Sequence, residues 1–312
     1  MNPQPNENFI DCTLGNAGHA IEILKKTAPR GKILAFELDT GAIEEAKARL
    51  KEEGVLSRVE IINDNFRFLK KYLPAEISGA TKPKRSGGIS AAREAGAGKS
   101  SKVNGILADL GLRSGQLESG GGGFSFQHDE PLDMRFGNWG KSAEEIINEY
   151  TKTELEDIFR KYGEERNAKP IADAIYEARK NDRIKTTGEL AEIILEFYRR
   201  KLKTKKEVPW VGGIYPATRV FQALRIEAND ELGSLEQLLE DGVGILSSGG
   251  RMGIISYHSL EDRIVKRFYR TSPHLVILTK KPIMASEEEA QSNRRSRSAK
   301  LRVALKIPLE VR

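Results

Sequence analysis

Glu7–Ala20 reads ENFIDCTLGNAGHA, and the fold is read outward from it. A short apolar lead-in, Phe9 and Ile10, runs into Asp11. Small residues follow (Thr13, Gly15, Ala17, Gly18), and then a helical run from Ala20 to Thr27. Strand, glycine turn and helix in that order present backbone N–H groups to a ligand at the carboxyl edge of an α/β sheet. Glycine suits the turn because a Cβ there holds the backbone away from the ligand. Such turns occur in many loops, so a second element is needed.

That element lies about 20 residues on, the spacing of the ribose-binding acid in a nucleotide-binding βαβ unit. Lys32–Asp39 (KILAFELD) is an apolar run ending in two acids, Glu37 and Asp39, before a helical stretch from Thr40 to Glu53. A carboxylate at the strand tip accepts hydrogen bonds from both hydroxyls of a ribose. Asp39 also reads as the cap of the next helix, and one of the two acids is expected to serve there. The pair points to a nucleoside-containing cofactor without saying which.

The 312 residues suffice for one large α/β domain and a smaller one, and 38% hydrophobic with 31% charged residues fits a globular protein. No run of roughly 18 apolar residues and no signal-peptide pattern occurs, so a cytoplasmic protein with no membrane partner is expected. The single cysteine, Cys12, excludes internal disulfides and cysteine clusters. His19, His128, His258 and His274 are scattered, and no metal is expected. The net charge of +6 concentrates in three segments: 77–102, Arg199–Lys206, and Arg294, Arg295, Arg297, Lys300 and Arg302. Such clustering suggests a polyanion, nucleic acid before membrane; solvated lysines without a partner are the competing reading.

Along the chain, Val59–Ile62 is a strand ending in Asn63-Asp64-Asn65-Phe66, and Asn104–Asp109 is another. Between them, 77–102 is rich in Gly, Ser, Ala and Lys and reads as a flexible basic loop; its GAGKS lacks the strand and first glycine of a P-loop. From Ser142 to about Lys206 the pattern is helical, with a capping box at Thr151 and Glu154. Pro216–Leu246 reads as a long helix with a possible break. Arg251–Tyr257 follows as a strand after a Gly249-Gly250 turn, then a helix capped by Ser259 and Asp262, and a last strand at Leu301–Ile307. Strands alternating with helices predict a doubly wound parallel sheet. The expected domains are a discontinuous sheet domain, 1–141 with 207–312, and an all-helical insert, 142–206.

Four strand tips then face one crevice: Gly15–His19, Glu37, Asn63–Phe66 and Asp109. A dinucleotide oxidoreductase accounts for the first two but not for the last two. Acids or amides after the second, third and fourth strands suit ribose, adenine and a charged amino-acid moiety together, which describes S-adenosylmethionine.

DCTLGNAGH (Asp11–His19), ADLGLRSGQLE (Ala108–Glu118), GFSFQHDEPLDMRF (Gly123–Phe136), YGEERNAKPIADAI (Tyr162–Ile175), YPATRVFQALRIEANDEL (Tyr215–Leu232), ISYHSLEDRIVKRF (Ile255–Phe268) and NRRSRSAKLRVA (Asn293–Ala304) resemble the bacterial 16S ribosomal RNA cytosine-N4 methyltransferases, the RsmH or MraW family. They cover most of the chain in family order. The resemblance implies a Rossmann-like class I S-adenosylmethionine-dependent methyltransferase sheet with a helical insert, acting on 16S ribosomal RNA or the small ribosomal subunit. It places Ala17, Gly18, His19, Glu37, Phe66, Asp109 and Gln116 at the cofactor. Phe66 as plain core is the competing reading.

The chain departs from the family pattern at Cys12, Ala17 and Ala20, in having Glu37 where the family usually has Asp, and at Arg113-Ser114 in place of paired serines. The implied reaction is in-line methyl transfer to the exocyclic N4 of cytidine. Asp109 is the candidate acceptor for the amine, and His258 is either an assistant or a structural histidine. Asp133 and Ser259 are substrate-side candidates. Phe124 and Phe126 either stack on an unpaired base or pack on each other. A C5-cytosine mechanism needs a thiolate, and the sole cysteine sits in the turn. DNA amino-methyltransferases carry Pro-Pro-aromatic where Asp109-Leu110-Gly111-Leu112 stands here. They and an RNA-binding pseudo-methyltransferase remain the alternatives, and the sequence leaves the oligomeric state open.

Overall fold

A computed structural model describes residues 1–73, 103–112, 122–126, 128–137, 139–204, 208 and 214–308. They form two compact units, Met1–Gly111 with Ser234–Arg312, and Leu112–Gly233.

The first unit is built on an eight-stranded sheet. β1 (Phe9–Asp11), β2 (Ile33–Phe36), β3 (Val59–Ile62), β4 (Val103–Asp109) and β5 (Leu246–Ser256) run parallel. β8 (Lys300–Lys306) is antiparallel to β5, and β6 (Leu275–Ile277) and β7 (Ile283–Met284) are antiparallel to β8. The order β3-β2-β1-β4-β5-β8-β6 reverses direction between β1 and β4, and a crevice opens at the carboxyl ends of strands at such a point.

Successive side chains of a strand face opposite ways, which divides the core in two. Ile106 and Ala108 of β4 pack with α8 (Glu231–Ile245) and α9 (Ser259–Thr271) through Leu235, Leu238 and Val265. Leu107 packs on the other face with α1 (Gly18–Lys26) and α2 (Thr40–Glu52) through Ile21, Leu24 and Leu50. Each such fully buried aliphatic stabilises the sheet by about 1.5–3 kcal/mol relative to exposure.

In β5 the sequence differs from the structure. The strand begins at Leu246, before the glycines. The β4–β5 ladder jumps from Val103–Leu246 to Gly105–Arg251, so the Gly249-Gly250 turn is a bulge inside the strand.

The second unit is helical: α3 (Ala143–Glu149), α4 (Lys152–Lys161), α5 (Ala168–Ala178), α6 (Thr187–Leu202) and α7 (Thr218–Asn229). Capping boxes start α3, α4 and α6 at Ser142/Glu145, Thr151/Glu154 and Thr186/Glu189. Ile146, Phe159, Ile171, Leu190 and Leu224 share its core with Leu132 and Met134 from the preceding loop. That loop is tied on by Asn229, whose side chain accepts from Phe136 N–H at 2.7 Å and donates to the Met134 carbonyl at 2.7 Å. The helical unit therefore extends beyond the 142–206 read from the sequence, because both the loop and α7 bury apolar side chains in it. The Pro216–Leu246 stretch is two helices, broken where Asp230 takes a left-handed φ of 44°.

No described helix is long and apolar enough to cross a membrane. The 77–102 loop, Arg113, Ser114 and Gln116 lie outside the described residues.

Candidate active site

The turn after β1 is stitched between its two neighbours. Cys12 N–H donates to the Leu107 carbonyl at 2.8 Å and Leu14 N–H to the Phe36 carbonyl at 2.9 Å. Thr13 Oγ1 accepts from Asp109 N–H at 2.7 Å, so the turn and the β4 tip are held as one piece. α1 then begins without any side-chain cap, leaving its first amides for a ligand. Ala17, at the position where the family pattern has glycine, takes a left-handed φ of 65° while fully buried. A Cβ in that conformation costs about 1–2 kcal/mol.

Glu37 uses its extra methylene to bridge from β2 to the turn. Its Oε2 accepts from Gly15 N–H at 2.9 Å, and its Oε1 accepts from Leu38 and Asp39 N–H, both at 2.9 Å. Asp39 instead caps α2, accepting from Ala42 N–H at 3.1 Å. Of the two acids read as rivals, Asp39 is thus the cap. Asn63 donates to the Glu37 and Leu38 carbonyls at 2.9 and 3.0 Å, fixing the β2 tip from β3. Phe66 opens a short 3-10 turn and is half-buried against the core.

At the β4 tip the Asp109 carboxylate lies between two partners. Tyr257 donates its hydroxyl to Oδ1 at 2.9 Å, and His19 Nε2 lies 3.4 Å from Oδ2. The hydrogen bond to Asp109 raises the His19 pKa above the ordinary histidine value, with burial opposing it. Burial, then the Asp109 charge, pushes the Tyr257 phenol well above its usual range.

Asp11 is 1% exposed, with Oδ1 accepting from Thr13 N–H at 3.1 Å and Oδ2 buried without a hydrogen-bond partner. Burial raises its pKa to about 6, with smaller upward contributions from Asp109 and Glu37 and downward ones from the Thr13 N–H and His19. Burial, and after it the Asp11 charge, also pushes the Cys12 thiol well up, which disfavours its thiolate.

Beyond β5, His258 is the N-cap residue of α9, with Nε2 3.3 Å from Glu261 Oε1 but no hydrogen bond to its ring nitrogens. The expected caps of this helix are corrected: Glu261 accepts from Tyr257 and His258 N–H at 2.8 and 3.3 Å, whereas Asp262 pairs with Arg302 at 2.6 and 3.1 Å. Ser259 is the first residue of α9.

In the helical unit, Phe124 stacks on Phe136 with centroids 5.6 Å apart and Phe126 on Tyr215 at 4.6 Å, so the two rings pack on others and not on each other. Asp133 forms a two-pronged pair with Arg135 at 2.6 and 3.0 Å. Part of the basic clustering is neutralised in the fold. Arg302 is spent on Asp262, and Arg199 and Arg200 pair with Glu192 and Glu196.

The structure brings Ala17, Gly18, His19, Glu37, Phe66, Asp109 and His258 to the turn and strand ends of one unit. Sequence reading missed Tyr257 and Asp11. An acid closing an apolar strand just before a glycine turn was a usable signal for Asp11. Tyr257 was overlooked for the histidine beside it.

A doubly wound sheet with an uncapped helix after β1, a carboxylate after β2, an amide after β3 and a second carboxylate after β4 defines a class I S-adenosylmethionine-dependent methyltransferase. The buried, unpartnered Asp11 Oδ2 and the start of α1 without a side-chain cap fit the charged amino-acid end of that cofactor. A family model described as the MraW methylase family matches residues 1–307. Ribosomal RNA small subunit methyltransferase H of Clostridioides difficile (strain 630) is 40% identical over 326 residues, covering 98% of this chain and 95% of that protein. The protein of the same name from Desulfotalea psychrophila is 43% identical over 306 residues, covering 97% and 93%. The chain belongs to the MraW methylase family.

Proposed function

We propose that this methyltransferase methylates the exocyclic N4 of a cytidine in 16S ribosomal RNA, free or within the small subunit. The observation that carries the reading is the Asp109 carboxylate at the β4 tip, held between Tyr257 and His19 beside the glycine turn. When bound, S-adenosylmethionine supplies a methyl group already electrophilic on sulfur, so the chain's task is alignment. The backbone at Ala17, Gly18 and His19 would hold the methionine end, Glu37 the ribose, Phe66 the adenine face and Gln116 a polar end.

The N4 lone pair is delocalised into the cytosine ring, which makes the amine a poor nucleophile. A carboxylate oxygen accepting an N–H favours the pyramidal amine, and this bond strengthens towards the transition state. Asp109 is assigned that role, with His258 as the second candidate. Phe124, Phe126, Asp133 and Ser259 are assigned to the substrate side. The exposed Arg294 and Arg297 are assigned to the RNA phosphates.

The test is incubation with small-subunit RNA or particles and isotopically labelled cofactor, followed by digestion to nucleosides. N4-methylcytidine is the expected product. A methyl group on C5 or on a ribose oxygen overturns the reading.

A further inference from the structure

The geometry points to Tyr257 as the residue that positions Asp109 for methyl transfer, an inference that rests on the role given to Asp109 above. Three contacts fix Tyr257. Its backbone N–H donates to Glu261 Oε2 at 2.8 Å, tying the segment beyond β5 to the first turn of α9. Its ring lies over Gly111, where a Cβ would meet Cδ2 at 3.3 Å and where φ is +98°. Its hydroxyl donates to Asp109 Oδ1 at 2.9 Å. The glycine two residues after Asp109 thus does two things. It supplies the positive φ that the backbone takes there and leaves a seat for the ring that grips the carboxylate.

The carboxylate needs such a grip. The torsion that turns an aspartate's oxygens is broad and roughly two-fold, so an untethered group samples both edges. A hydrogen bond to a charged acceptor is about twice as strong as a neutral one, enough to choose between them. With its pKa held high by burial and by the Asp109 charge, the phenol stays protonated and remains a donor. Oδ1 is thereby spent on Tyr257, and Oδ2, which already faces His19 Nε2 at 3.4 Å, offers its second lone pair to the amine. Tyr257 touches no reacting atom in this scheme; it acts through Asp109.

The test uses the full chain with Tyr257→Phe, which keeps the ring on Gly111 and removes the hydroxyl. Three quantities are read: the single-turnover methyl-transfer rate, the cofactor dissociation constant by calorimetry, and the His19 imidazole titration by NMR without cofactor or RNA. The expected result is a rate loss of roughly ten- to a hundredfold, the scale of a misplaced reacting group, with cofactor affinity nearly unchanged. The His19 midpoint moves from its wild-type value, because the carboxylate beside it is no longer held. Adding Tyr257→Phe to Asp109→Asn costs nothing further, since the hydroxyl works only through the carboxylate. Equal rate losses in both backgrounds, or an unmoved His19 midpoint, would overturn the inference. If wild type fails to methylate cytidine N4, the functional reading fails on its own, and the His19 titration still decides whether Tyr257 orients Asp109.

Discussion

The His19 imidazole lies 3.4 Å from the Asp109 carboxylate, joining the first turn of α1 to the tip of β4. The hydrogen bond raises the histidine's pKa, so its contribution to stability is full below the ordinary histidine value and is lost as pH rises through the raised one. The side chain of His19 is 51% exposed, which keeps that contribution small. Asp109→Asn should bring the His19 midpoint back down, as read by NMR. A midpoint unchanged by the substitution would mean that the two groups are not coupled in solution.

Glu37 spends its carboxylate on three backbone N–H groups, from Gly15, Leu38 and Asp39. It therefore shapes the turn after β1 in addition to the ribose role proposed for it. Glu37→Ala should weaken S-adenosylmethionine binding by about 1–3 kcal/mol, the cost of leaving polar groups without their charged partner. Calorimetry decides it: an unchanged dissociation constant removes Glu37 from the cofactor site.

Asp11 is buried with a pKa raised to about 6 from 3.8. Between those values the folded protein binds more protons than the unfolded chain, so stability falls as pH rises through that window. Above it the buried charge costs on the order of 3 kcal/mol at 1.36 kcal/mol per unit. Asp11→Asn keeps an acceptor for Thr13 N–H and removes the charge. Urea unfolding should show the variant stabilised by about 1–3 kcal/mol near neutral pH and by little at about pH 4. The same difference at both pH values would contradict the assignment.

Ala17 and Ala20 are both fully buried at the start of α1, but only Ala17 has a left-handed φ. Ala20→Gly should destabilise the protein by about 1 kcal/mol or more, from helix propensity and a lost methyl. Ala17→Gly loses a similar methyl but gains back the left-handed strain, so it should be neutral or stabilising. Equal losses in thermal unfolding would show that the turn carries no strain.

The sheet was legible because its strands are apolar runs with acids or amides at their carboxyl ends, and β1 to β4 begin within one residue of the runs that mark them. The bulge in β5 was not, because two glycines before an apolar run look the same whether they end a turn or bend a strand. The extent of the helical unit was hidden for a related reason. Leu132 and Met134 sit in a polar, glycine-rich loop without periodicity, and only their burial against α3 to α7 reveals where they belong. In the site, Glu37, Asp39 and Asp109 could be read as strand-tip acids, whereas the partition between ribose acid and helix cap required hydrogen bonds. The Tyr257–Asp109 contact joins residues 148 positions apart, and no local pattern announces it.

The central claim is that Asp109 receives the amine during methyl transfer, and single-turnover methylation of small-subunit RNA by Asp109→Asn and His258→Ala tests it most directly. Asp109→Asn keeps the shape and removes the charge, so the rate should fall by roughly two orders of magnitude or more. Cofactor affinity should move far less, and His258→Ala should retain most of the wild-type rate. An Asp109→Asn variant that methylates at the wild-type rate, beside a His258→Ala variant that is inactive, would contradict the account and give the acceptor role to His258.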